Sequence, residues 1–181
     1  MLTEKDMTNI DELMQAAIAE SWHRAISRSE VLLAISSDDL EVAGIAYDLL
    51  SEDRKRRWID PPLSPEEVQS ITMDYLERCI NQNPTGEWCL SRYESAWEVQ
   101  RWILNLWDSE VGGPGPLERW KQWIEKLYQG GDERIRRALV DGILEHLFEH
   151  RALQEYFADW KTRSEFQRPY DEAKLWADNQ G

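Results

Sequence analysis

Basic side chains are scarce in this 181-residue chain: 21 Lys and Arg stand against 35 Asp and Glu, a formal charge of −14. Phosphate recognition runs on a Lys/Arg excess and on counterion release, so this balance argues against nucleic acid as a direct partner. It argues equally against an anionic membrane surface. No run approaches the ~18 uninterrupted apolar residues of a membrane span. The stretch 1–15 is acidic and lacks the basic and apolar regions of a secretory signal. Only two cysteines occur, Cys79 and Cys89, in no CxxC pattern, which removes redox and cysteine–zinc motifs of that type. A disulfide between them is geometrically possible, but reduced thiols are the expectation. Together these shortages predict a cytoplasmic, bacterial-type protein without membrane contact.

Strand signals are lacking too. Six valines are scattered, and no period-two run has useful length. Helical periodicity fills the space instead. Ile10, Leu13, Met14, Ala17, Ile18, Trp22, Ala25 and Ile26 recur at steps of three and four, predicting one long amphipathic helix opened by Thr3 or Thr8. The short apolar run Val31–Ile35 fits a helical turn. Ser37, Asp38 and Asp39 then cap a helix whose centre, Val42–Tyr47, is apolar all round and therefore buried.

Ser64, Pro65 and Glu67 have the order of a capping box with proline at the first helical position. The helix they open carries Val68, Ile71, Thr72, Tyr75, Leu76, Cys79 and Ile80 on one face. Further helices are expected over 93–107, from Pro116 to Gly130, from Asp132 to about 148, around Leu153–Trp160, and after Pro169. Loops fall near 58–64, 81–90 and 109–116. The prediction is a single all-α domain, 1–181, of about seven to nine helices, built as a bundle or a short irregular solenoid.

Ten tryptophans are many for this length. Trp97, Trp120 and Trp160 sit on helical stripes and are expected in the core. Trp58, Trp88 and Trp176 lie at element ends among polar residues and are expected at the surface, where an indole offers area and a polar N–H to a partner. Charge is uneven as well. Residues 1–53 hold 12 acidic and 3 basic side chains, a balance of −9, whereas 54–181 hold 23 and 18, a balance of −5. A single-sign surface steers a basic partner by long-range Coulomb attraction. The expected partner-binding set is therefore Asp11, Glu12, Glu20, Asp38, Asp39, Glu41 and Asp48, with Trp58 and Trp88. Glu52 and Asp53 belong to the same acidic stretch. The basic run Arg54–Arg57 behind them is read as complementing a helix C-terminus, and Arg134, Arg136 and Arg137 form a second cluster.

His146, Glu149 and His150 have the HxxEH spacing of a metal-binding helix. That chemistry needs Glu149 as a base and a third ligand downstream, for which Glu155, Glu165 and Glu172 are the candidates, none within a second motif. Because His146 continues the stripe of Ile135, Leu139 and Ile143, it is read as a packing residue, and His150 as a cation at a helix end. Gly112–Gly115 lacks the Lys-Ser/Thr of a phosphate loop. Neither a nucleophile elbow nor a Ser–His pairing stands out. No metal, cofactor or enzymatic activity is expected.

Residues 131–148, with an acidic cap, arginines and an Ala/Leu stripe, resemble one helix of a HEAT-type repeat, and Ser37–Leu50 echo it, although the spacing of the loops does not repeat. In size, acidity and the aromatic helices Trp97–Trp107 and Leu139–Trp160, the chain also resembles small acidic helical proteins of bacterial toxin–immunity systems. That resemblance implies a cytosolic inhibitor that occludes the active site of a basic toxin. The other reading is a helical scaffold that holds a peptide or helix in an aromatic groove.

Overall fold

The fold is all-α. The computed structural model describes residues 4–109 and 114–180. Among these, eight helices have seven residues or more. The packing divides into two compact units, Met1–Cys79 with Pro84–Leu90, and Ile80–Asn83 with Ser91–Gly181.

In the first unit the elements run α1 (Glu4–Ile18), β1 (Ile26–Ser27), α2 (Arg28–Ile35), α3 (Leu40–Ser51), α4 (Asp53–Arg56), β2 (Ile59–Asp60) and α5 (Pro65–Gln82). Helix α3 is the centre. Ala43, Ala46, Leu49 and Leu50 have no exposure at all, as its all-round apolar sequence requires. Asp39 caps it, accepting from the Glu41 N–H at 3.0 Å. Tyr47 stacks on Tyr75 of α5 with ring centroids 4.7 Å apart. Ser64 and Glu67 form the expected capping box at the start of α5. Its apolar face is buried, Cys79 included.

The second unit holds α6 (Arg92–Asp108), α7 (Pro114–Gly130), α8 (Glu133–Leu139), a π turn (Val140–Leu144), α9 (Glu145–Phe148), α10 (Arg151–Tyr156), a 3-10 turn (Ala158–Thr162) and α11 (Ser164–Asp178). Helices α8 and α9 are one continuous rod interrupted by the π turn. An aromatic cluster forms the core: Trp160 stacks on Phe166 at 4.7 Å, and Phe157 meets Trp160 edge-on at 5.0 Å. The polar end of Trp160 is satisfied, whereas the buried indole N–H groups of Trp120 and Trp123 have no hydrogen-bond partner among the described residues. The Trp160 indole donates to Glu125 at 2.8 Å, and Arg163 pairs with the same carboxylate at 2.6 Å. Ser91 and Glu94 close a full capping box on α6, and Asp132 caps α8 through the Ile135 N–H.

Several expectations are corrected. The long helix to Ile26 ends at Ile18, because Ile26 is drawn into a two-residue parallel pair with Ile59 and its N–H donates to the Trp58 carbonyl at 2.7 Å. Thr8 lies inside that helix, and Thr3 lies outside the described residues. Helix α7 opens at Pro114 rather than Pro116, so the loop expected over 109–116 ends earlier; 110–113 lie outside the described residues. Both prolines fit the first turn, whose N–H groups have no intrahelical acceptor. Pro169 sits within α11 instead of preceding it. The carbonyl that would have received its N–H belongs to Glu165, which is exposed to water.

Trp120 and Trp160 are fully buried, but Trp97 is 50% exposed. A Cβ on Gly142 would lie 2.6 Å from the Ala96 Cβ, so α6 and the π turn approach too closely to admit an indole between them. Small residues of α6 (Ser95, Ala96) take the interior, and Trp97 is left at the edge.

Two predictions follow from this packing. Alanine normally stabilises a helix interior relative to glycine by about 1 kcal/mol. Gly44→Ala reverses the sign, because its Cβ would lie 1.9 Å from the Trp88 carbonyl oxygen. We expect a loss of about 1–3 kcal/mol by urea unfolding. In the same assay Trp160→Ala costs about 3–5 kcal/mol, while Trp97→Ala costs about 1 kcal/mol or less.

Candidate functional site

Within the first unit, α2 and α5 lie side by side and run in the same direction. An arginine joins them at each end. Near the N-terminal ends, Arg28 of α2 pairs with Glu67 of α5 and donates to the Pro62 carbonyl at 3.3 Å. Near the C-terminal ends, Arg78 of α5 donates to the Ile35 and Ser37 carbonyls at 2.5 and 2.6 Å. The Ile35 carbonyl is one that the end of α2 leaves without an intrahelical donor, and Ser37 lies just beyond the helix.

A groove of about 390 Å³ lies between the two joined helices. Half-buried Leu32 and Ile71 form its apolar walls over a buried floor of Ile35 and Tyr75, and Asp38 and Asp74 stand at its edge with Ser36 and Arg78. Burial pushes the Tyr75 phenol well above its ordinary range, and its oxygen accepts the Leu90 N–H at 3.2 Å. The phenol is thus a neutral, fixed floor. Asp38 and Asp74 are exposed and make no ion pair among the described residues. The Arg78 guanidinium is held by the two carbonyls and keeps its positive charge, so the groove presents apolar surface edged by two carboxylates and one cation. Leu33, on α2 beside it, is 60% exposed.

The acidic residues singled out from the sequence divide into two groups. Asp11 and Glu20 are exposed, and Asp38 reaches the groove. Glu12 pairs with Arg24 at 3.1 Å. Asp39 serves as the cap of α3. Glu41 is turned inward: it accepts from the Trp88 N–H and the Cys89 thiol, both at 3.3 Å, and lies directly against Gly86. Burial, then Glu41 itself, push that thiol up to about 11. Neither Cys79 nor Cys89 is in a disulfide.

Asp48 and Glu52 hold the buried ammonium of Lys55 at 2.5 and 2.8 Å, and Asp53 pairs with Arg56. Arg56 also donates to the Leu50 carbonyl at the end of α3, the helix-terminal role read from the basic run. Much of the acidic surplus is therefore neutralised internally. The unit still carries 18 acidic and 8 basic side chains, a balance of −10.

Trp58 and Trp88 are half-buried, and neither lines the groove. Their backbones are structural, the Trp58 carbonyl bonding Ile26 and the Trp88 carbonyl lying over Gly44. Trp176 is half-buried too, its ring 5.0 Å from His146 and edge-on to it. His146 thus packs on α11, and its Nδ1 lies 3.0 Å from Glu149. No group of three His, Cys, Asp or Glu among the described residues is placed to hold a metal ion. Among them, no helix is long and apolar enough to cross a membrane. Asp74, Ile71 and Tyr75 were absent from the expected binding set. Their signal was the stripe Ile71, Tyr75, Arg78, with Asp74 beside it, on a helix counted only for its buried face.

The Lys55 contacts carry a stability prediction. Burial would lower the ammonium pKa, but hydrogen bonds to Asp48 and Glu52 outweigh it and the net shift is upward. The stabilisation is therefore complete below the ordinary value of 10.5 and fades as pH rises through the higher folded value. Asp48→Asn should cost about 1–2 kcal/mol at neutral pH, less than a fully buried pair because Asp48 is partly hydrated. It should also move alkaline unfolding to lower pH. Circular dichroism between pH 7 and 12, with urea titrations at neutral pH, checks both.

The chain matches no protein-family model, no curated protein and no solved structure.

Proposed function

We propose that this is a non-catalytic protein-binding inhibitor, of the kind found in toxin–immunity systems, which takes a basic partner in the cytoplasm. The observation that carries the reading is the α2–α5 groove, an apolar channel at whose edge the carboxylates of Asp38 and Asp74 outnumber the one cation, Arg78. Apolar walls supply affinity through area removed from water. Carboxylates at the edge supply orientation and encounter rate for a cationic surface. The remaining excess of −10 on the same unit extends that attraction to about the Debye length. The likeness in size, acidity and aromatic helices to immunity-type proteins points the same way.

The apolar floor favours a second reading, a scaffold that holds a peptide or helix irrespective of charge. Salt separates the two, since hydrophobic burial is not screened and surface charge attraction is. The immobilised chain should capture, from the native host, a strongly basic protein released only at high salt. The double variant Asp38→Asn/Asp74→Asn should slow its association about tenfold at low salt. A neutral partner held equally well at every salt concentration would move the assignment to the scaffold, and the acidity would then serve solubility alone.

A further inference from the structure

We infer that the occupant of the α2–α5 groove is a two-turn amphipathic helix of the partner, apolar along one face and bearing Lys or Arg at its margins. This rests on the basic-partner reading and specifies the form of what binds.

Three features of the groove carry it. First, both walls are helices, so their N–H and C=O groups are consumed within each helix and no strand edge is offered. An extended segment would find no main-chain hydrogen-bond partners on either wall. A helix arrives with those groups already bonded to one another. Second, the walls present helical stripes over a buried floor of Ile35 and Tyr75: Leu32 and Ser36 on one side, and Ile71 and Arg78 on the other. Two parallel stripes of that spacing form the channel into which a third helix fits its own i, i+3, i+4 ridge. The α5 wall runs from Ile71 to Arg78, a rise of about 10 Å at 1.5 Å per residue, or two turns.

Third, carboxylates outnumber cations at the margin. Arg78 keeps its charge but is tied to the Ile35 and Ser37 carbonyls, while Asp38 and Asp74 are exposed and make no ion pair among the described residues. A helix with apolar residues facing inward and Lys or Arg flanking them satisfies both features at once. An acidic amphipathic helix would place like charges against Asp38 and Asp74.

The test uses the full chain and three fluorescein-labelled 15-residue peptides in anisotropy titrations at low and physiological salt. One is an amphipathic Leu/Lys helix, one its scrambled isomer of identical composition without an apolar face, and one the Leu/Glu counterpart of the helix. We expect the amphipathic Leu/Lys peptide to bind at least tenfold more tightly than the scrambled isomer and to gain helicity on binding. Asp38→Asn/Asp74→Asn should weaken it about fivefold. Ser36→Arg, at an exposed position lining the groove, should abolish binding by filling the channel and repelling the cations, with unchanged thermal unfolding as the control for both variants.

Equal binding of the scrambled and amphipathic Leu/Lys peptides would overturn the helical inference and leave the basic-partner reading standing. Equal or tighter binding of the Leu/Glu peptide would overturn both. Binding that Ser36→Arg leaves unchanged would place the peptide elsewhere and sink the inference.

Discussion

Two arginines set the spacing on which the first unit's outer surface depends. Arg28 holds the start of α2 to the start of α5 through Glu67, and Arg78 holds its end through the Ile35 and Ser37 carbonyls. A guanidinium can do this because it presents several fixed donors and stays charged even when partly buried. The groove lies between these two ties. Arg28 is paired with Glu67, whereas Arg78 is bonded to neutral carbonyls and remains a cation beside Asp38 and Asp74.

The acidic excess of the first unit does several jobs. Asp39 caps a helix, Glu41 clamps the segment around Gly86 to Cys89, and Asp48 and Glu52 keep Lys55 charged beneath the surface. These carboxylates are structural, and their charge is spent on N–H groups and an ammonium. Those that remain exposed, among them Asp11, Glu20, Asp38 and Asp74, generate the external field. A count of charge along the chain cannot separate the two groups, because the difference lies in what each carboxylate faces after folding.

The second unit uses its aromatic residues differently. Its core is a contiguous cluster in which Tyr170, Phe148, Phe157, Trp160 and Phe166 touch in that order. Edge-on and offset contacts suit the ring quadrupoles. Glu125 holds the indole N–H of Trp160 and the guanidinium of Arg163 together, so the polar groups at the margin of the cluster do not go unpaired. The π turn beside Ala96 places Gly142 against α6 and leaves no room there for an indole.

Much of this was legible in the residue order. The all-α class, the buried α3, the caps at Asp39, Ser64 and Asp132, and the buried face of α5 all follow from 3.6-residue spacing and from hydrogen bonds within one turn, which act locally. The capping box of Ser91 and Glu94 carried the same kind of signal, and Asp38 was already among the binding candidates. The remainder depended on contacts between residues distant in the chain. Ile26 continued a helical stripe until its backbone found Ile59. Trp97 had core spacing until Ala96 and Gly142 met, and Asp74 became part of a site only when Arg28 and Arg78 set α2 beside it. Periodicity records which face of an element is apolar; the partner that covers the face, and the gap left where none does, are decided by packing across the fold.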